Sequence, residues 1–248
     1  MSQLSLHPVP VGLVGRFHRL SLLAGVGVTA GMAWLLLLPG VLPLAHIHGG
    51  ASTLQALAVS TVAWFVMMVA MMLPPVVPWL LLVASGDGRR FRPAVAVLFA
   101  SGYFAVWLGY SLGAAAVQVY LQASGALGHD LALETRASGA VLIAAGLFQL
   151  SPLKDACLAH CRSPIGFFLG RWRDGPVGTL RMGAAHGVYC VGCCWALMAV
   201  ALALGVMNLV WMAALTGMLI LEQNAPGGRQ MGILFGLALI VWGAFLVV

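Results

Sequence analysis

Arg181–Met198 reads RMGAAHGVYCVGCCWALM, a stretch apolar enough to sit in a membrane that still carries His186, Cys190, Cys193 and Cys194. A helix advances about 100° per residue; with Met182 at zero, Cys193 falls at about 20°, His186 at about 40°, Cys190 at about 80°, Cys194 at about 120° and Tyr189 at about 340°. One stripe therefore gathers a thioether, an imidazole, a phenol and three thiols. Gly183 and Gly187 lie beside it, and small residues four apart let a neighbouring helix come close. Soft ligands on a glycine-notched face point to a metal site shared between helices. No single ion can use the whole stripe, because His186 and Cys193 are about 10.5 Å apart along the axis at 1.5 Å per residue. The chelating pairs are His186/Cys190, Cys190/Cys193 and Cys190/Cys194, so further ligands must come from another segment.

The composition sets the environment of that helix. The 248 residues are 62% hydrophobic and 7% charged, against roughly 25% charged in soluble domains. The fold class expected is all-α, a polytopic transmembrane bundle forming one domain over 1–248. The net charge of +6 does not indicate nucleic acid, because the basic residues fall between apolar segments, where anionic headgroups and topology account for them. The first apolar run begins near Leu20, is long enough to span, and lacks a good cleavage site, so it reads as a span and not as a cleaved signal.

Crossing the hydrocarbon core takes about 20 apolar residues. Spans are expected near 18–39, 54–83, 93–122, 132–151, 179–205, 207–222 and 230–248, seven in all, with a tight hairpin at Gly205–Asn208 and a short sixth span. If they alternate, Arg16, Arg19, Arg89, Arg90, Arg92, Lys154, Arg162, Arg171, Arg173, Arg181 and Arg229 share one side and only Arg136 lies on the other. The positive-inside bias then puts the N-terminus in the cytoplasm and the C-terminus outside. Residues 152–178 form the one long connection, a cytoplasmic interfacial loop with Phe167, Phe168 and Trp172 among arginines.

Other segments offer further ligands. His46 and His48 are two apart, and in an extended loop both imidazoles point one way and could chelate one ion; the plainer reading is two exposed polar residues in a short loop. Met67, Met68, Met71 and Met72 share one side of the second span, and Pro74 behind them predicts a kink or break. Methionine is commonly adaptable packing, but thioethers also suit Cu(I). In the loop, Cys157 and Cys161 would lie one turn apart on a helix over 153–162, with His160 near both; the alternative is a pair of small buried hydrophobes. Glu222, acidic at the edge of an apolar span, is costly unless functional, paired or interfacial, and the adjoining Gln223 and Asn224 favour an emerging helix end. Asn208 reads as a turn residue.

All five cysteines lie between Cys157 and Cys194, a clustering that favours metal or redox chemistry over a disulfide scaffold. Cys190-Val191-Gly192-Cys193 has the CxxC spacing of thiol oxidoreductases but sits inside an apolar run with no βαβ pattern around it. Hydrolase and nucleotide-binding motifs are absent.

The combination of Trp64-x-x-Met67-x-x-Ala70-Met71-Met72-x-Pro74, Cys157-x-x-x-Cys161-Arg162-x-Pro164, Arg181-Met182-Gly183-x-x-His186-Gly187-x-Tyr189-Cys190-x-Gly192-Cys193-Cys194-Trp195 and Met207-Asn208-x-x-Trp211-Met212 resembles an uncharacterised bacterial family of predicted metal-binding integral membrane proteins. The resemblance implies a protein of the bacterial cytoplasmic membrane with a soft-metal site, copper foremost. The leading expectation is a membrane protein that binds Cu(I) through Cys, His and Met and moves it or passes it to a partner, a copper chaperone or a copper enzyme. Zinc is the other metal that Cys/His ligands serve. A thiol or metal redox enzyme and a structural subunit of a membrane complex are the alternatives.

Overall fold

The computed structural model describes residues 13–38, 41, 52–85, 92–128, 131–205 and 208–248. Among them the chain is all-α: α1 (Leu13–Leu36), α2 (Thr53–Ser85), α3 (Pro93–Ala123), α4 (Thr135–Gln149), α5 (Pro152–Cys161), α6 (Pro164–Arg171), α7 (Gly175–Leu204), α8 (Leu209–Asn224) and α9 (Gly228–Val247). Prolines just inside α3, α5, α6 and α7 start those helices, where a missing N–H costs nothing. Asn208 is more than a turn residue: its Oδ1 accepts from the backbone N–H groups of Val210 and Trp211 at 3.2 and 3.3 Å and caps α8.

α7 is the hub. It packs on α3, α4, α5 and α8, while α2 lies against α3, α1 and α8, and α9 against α4 and α8. The glycine notches do what their spacing predicts. A side chain at Gly183 would strike the backbone of Phe99, and one at Gly102 on α3 would strike that of Leu180. A second glycine contact joins α4 to α9, where Gly139 faces Gly243 and Gly146 faces Gly236.

Five helices, α1, α2, α3, α7 and α9, are long and apolar enough to cross a membrane; α4 and α5 together make a sixth if their 65° bend belongs to one span. The seven-span expectation is therefore met only in part. α4 has 15 residues and α8 has 16, because Ser151-Pro152 ends the first and Asn208 with Ala225-Pro226 bounds the second. Of the kink or break expected at Pro74, the break does not occur: α2 continues as one helix through Pro74, Pro75 and Pro78. The 152–178 segment is no simple loop but carries α5 and α6, and α5 is folded onto α7.

Candidate metal centre

α5 supplies what α7 lacks. Cys161, at the end of α5, comes against Cys190 and Cys193 of α7 so that the three Sγ atoms all lie within 4.8 Å of one another, and all three residues are buried. Cys161 Sγ is 3.8 Å from Cys193 Sγ. One of the loop cysteines and two of the helix cysteines thus form one group. Gly192 makes the approach possible, since a Cβ there would sit 2.8 Å from Cys157 Sγ. The far side of the junction is held by Trp79 of α2, whose indole N–H donates to the Cys161 carbonyl at 3.3 Å.

Cys190 is the most heavily partnered of the three thiols. Tyr103 Oη of α3 lies 3.1 Å from its sulfur and Gln223 Nε2 of α8 lies 3.9 Å from it. Its carbonyl accepts from the Cys193 thiol at 3.2 Å and from the Cys194 thiol at 2.7 Å. Cys194 is fully buried, yet its thiol is turned to the backbone of its own helix and joins no group of three. Tyr103→Phe would remove one hydrogen bond to Cys190, a net contribution of about 0.5–1.5 kcal/mol. We expect Cu(I) affinity to fall by up to about tenfold, read by competition with a chromophoric Cu(I) chelator, with the helical circular dichroism unchanged.

His186 occupies an aromatic box one turn before Cys190. Its ring stacks on Trp79 at 3.7 Å and lies 5.3 Å from the Tyr103 ring, 5.9 Å from Phe99 and 6.3 Å from Phe167. It is 1% exposed and its Nδ1 has no hydrogen-bond partner among the described residues. Leaving a buried polar atom unsatisfied costs about 1–3 kcal/mol, a cost that a ligand at this atom would remove. His186 does not belong to the thiol group itself.

The remaining candidates are distributed around this centre. Met67, Met68, Met71 and Met72 are completely or almost completely buried in α2, and Met182 is buried on α7. Met72 and Trp79 are seven residues apart, two turns along nearly one face. Cys157 is partly exposed beside Gly192. His160 faces outward, stacked on Tyr189 at 4.1 Å with its Nδ1 2.9 Å from the Ala156 carbonyl oxygen. His46 and His48 lie outside the described residues.

Glu222 is placed in an ion pair instead of among the thiols. Its Oε2 is 2.8 Å from Lys154 Nζ, and both side chains are buried. Lys154 also bonds Gln149 Oε1, and Arg162 donates to the Glu222 and Ala225 carbonyls at 2.5 and 2.9 Å. Gly232 leaves room for the carboxylate, since a side chain there would meet Glu222 Oε1.

Sequence reading missed Tyr103, Trp79, Gln223 and Lys154. For Lys154 a signal existed: it is the sole lysine of the chain, set in a segment that otherwise uses arginine. The other three carry no local pattern.

Thiols from two helices, closed off from solvent inside a bundle of membrane-crossing length, define a helical membrane protein with a cluster that could hold a soft metal. Thiolate is the donor that suits Cu(I), so the donor set fits that ion as cargo. The model of the PpoB2 copper chaperone family matches residues 61–246, a segment that holds the whole thiol group, and the chain belongs to that family. No curated protein matches the chain, and no solved structure does.

Proposed function

We propose that this chain takes Cu(I) on the cytoplasmic side of the bacterial cytoplasmic membrane, holds it on Cys161, Cys190 and Cys193, and hands it to a copper-requiring partner. The observation that carries the reading is the convergence of three buried sulfurs from two separate helices within 4.8 Å. Structural zinc asks for four ligands in a tetrahedron, whereas three sulfurs with no carboxylate or imidazole among them favour the softer ion. Binding displaces thiol protons, so the Cys193 and Cys194 thiols that now donate to the Cys190 carbonyl stand ready to ionise or to reorient.

His186 and Met182 extend the donors one and two turns along α7 from Cys190, and the unpartnered Nδ1 supports a transient ligand role for His186. Met68 and Met72, on the face of α2 that carries Trp79, supply thioethers deeper in the bundle, with Met67 and Met71 beside them. Cys157 flanks the site, and His160 stands at its outer edge. The charge pattern supports seven spans with the N-terminus cytoplasmic and the C-terminus outside, α4 and α8 being the short ones. Counted back from Leu204, about 20 residues of α7 fill the hydrocarbon core. That places Cys190 and Cys193 within the span and Met182 and Arg181 in the headgroup layer.

Metal analysis of the protein purified anaerobically and offered Cu(I) tests the reading. We expect close to one copper per chain, sulfur-ligated by X-ray absorption, and transferable to a chelating acceptor. A protein that takes up no copper, or takes zinc in preference, would overturn it.

A further inference from the structure

Around Met182, two turns before Cys190 on α7, lies a groove of about 460 Å³ whose wall is basic and whose floor is soft. Its lining includes Phe167, Arg171, Trp172, Arg173, Arg181 and Met182. The arginines come from the end of α6, the α6–α7 link and the first turns of α7. Arg171 is held in place: it donates to Tyr189 Oη at 2.8 Å, and its guanidinium lies 5.7 Å from the Phe167 ring centroid and 5.3 Å from that of Tyr189. The one acidic side chain in the link, Asp174, accepts from the Trp172 indole N–H at 3.0 Å. At the floor, Met182 is buried and stands one turn before His186, whose Nδ1 is unpartnered. Cys190 follows one turn further on.

Three guanidinium groups repel a bare copper ion and attract an anion. An ion entering here has to arrive inside a negatively charged complex. Two thiolates on Cu(I) give a complex of charge −1, and carboxylates on the same carrier add to it. Guanidinium forks match carboxylates bidentately, and the volume falls within the roughly 300–1,000 Å³ of small-molecule sites.

Building on the copper reading above, we propose that this groove docks an anionic Cu(I)–thiolate complex of a small, carboxylate-bearing thiol, and that copper enters the protein from it. The carboxylates sit on Arg173 and Arg181, and Met182 receives the copper at the floor. At the floor a carrier S–Cu bond breaks as a bond from copper to the Met182 thioether forms. Copper then passes the His186 turn to the cage two turns on, where Cu–Sγ bonds replace the remaining bonds to carrier and thioether. Each protein thiol that ionises gives its proton to a departing carrier thiolate. Copper remains Cu(I), so no oxidant or reductant is involved.

The test compares two copper donors on the full-length protein in nanodiscs of zwitterionic lipid: the Cu(I)–glutathione complex, which is anionic, and the tetrakis(acetonitrile) Cu(I) cation. Electrostatic steering is worth 10-fold or more in association rate. Arg173→Gln/Arg181→Gln is therefore expected to slow loading from the glutathione complex by about tenfold or more, with the final stoichiometry kept and loading from the cation unchanged or faster. Arg173→Lys/Arg181→Lys, which keeps the charge, should retain most of the rate. Equal slowing from both donors, or no slowing from glutathione, would overturn the proposal. So would loss of the arginine dependence in nanodiscs of phosphatidylglycerol, which would assign the groove to lipid phosphate. Uptake from the cation alone by the wild type overturns the groove and leaves the cage standing; uptake from neither donor overturns both.

Discussion

Cys190→Ser, purified without oxygen and offered Cu(I), is expected to bind it at least about a hundredfold more weakly than the wild type, since even an outer-shell partner of a metal site is worth 10–100-fold. Cys190 is singled out because it alone joins four helices: it belongs to α7, shares the thiol group with Cys161 of α5, and is reached by Tyr103 of α3 and Gln223 of α8. Cys161→Ser and Cys193→Ser should each lose a ligand as well, while Cys194→Ser, whose thiol is turned to its own backbone, should keep most of the affinity. The same series has a readout in stability. A ligand that binds only the folded state raises stability by RT ln(1 + [L]/Kd), so copper should raise the melting temperature of the wild type and of Cys194→Ser and leave that of Cys190→Ser in place. A Cys190→Ser protein with wild-type affinity would remove the cage from the mechanism and shift attention to His186 and the methionines.

The contrast between α7 and its surroundings shows what a linear pattern can carry. The stripe from Met182 to Cys194 was legible because helical periodicity is local, and Gly183 announced the close approach of a neighbouring helix for the same reason, without saying that it is α3. Cys161 was visible as a ligand type, but its partner was not, because nothing in the sequence of α5 states that it folds back across α7. Gly192 was the available hint: a small residue at the one place where Cys157 presses against the helix. Tyr103, Trp79 and Gln223 are apolar-helix residues of ordinary kind whose roles arise only from tertiary contact. A break at Pro74 and helices of spanning length at α4 and α8 were expected and not found, for a related reason. Packing on both sides carries α2 through Pro74, Pro75 and Pro78 as one helix, and capping residues cut α4 and α8 below spanning length although the apolar pattern runs on.

The Lys154–Glu222 pair carries the largest expected stability effect, and it bears on the metal centre through the fold. Both side chains are buried, so Lys154→Met leaves a carboxylate without its cation in a low-dielectric site. Breaking one side of such a pair costs about 3–5 kcal/mol. We expect a loss of that order in denaturant or thermal unfolding of the detergent-solubilised protein. Lys154→Met/Glu222→Leu should recover much of it, because desolvating a pair often cancels most of its attraction and a matched apolar replacement can be neutral. The pair exists at a junction, not at a random point. Lys154 sits on α5 two turns from Cys161, and Glu222 precedes Gln223, which reaches Cys190. Losing the pair therefore leaves α5 tied to α8 only through Arg162, at the place where the two helices deliver their contributions to the sulfur group. Copper affinity should fall in the single variant along with stability. In the double variant, stability should return further than affinity, because apolar side chains restore packing without fixing the angle at which α5 presents its thiol. Parallel recovery of both would mean that packing alone positions Cys161. A single variant that loses less than about 1 kcal/mol would show that Arg162 and Gln149 hold the junction without the pair.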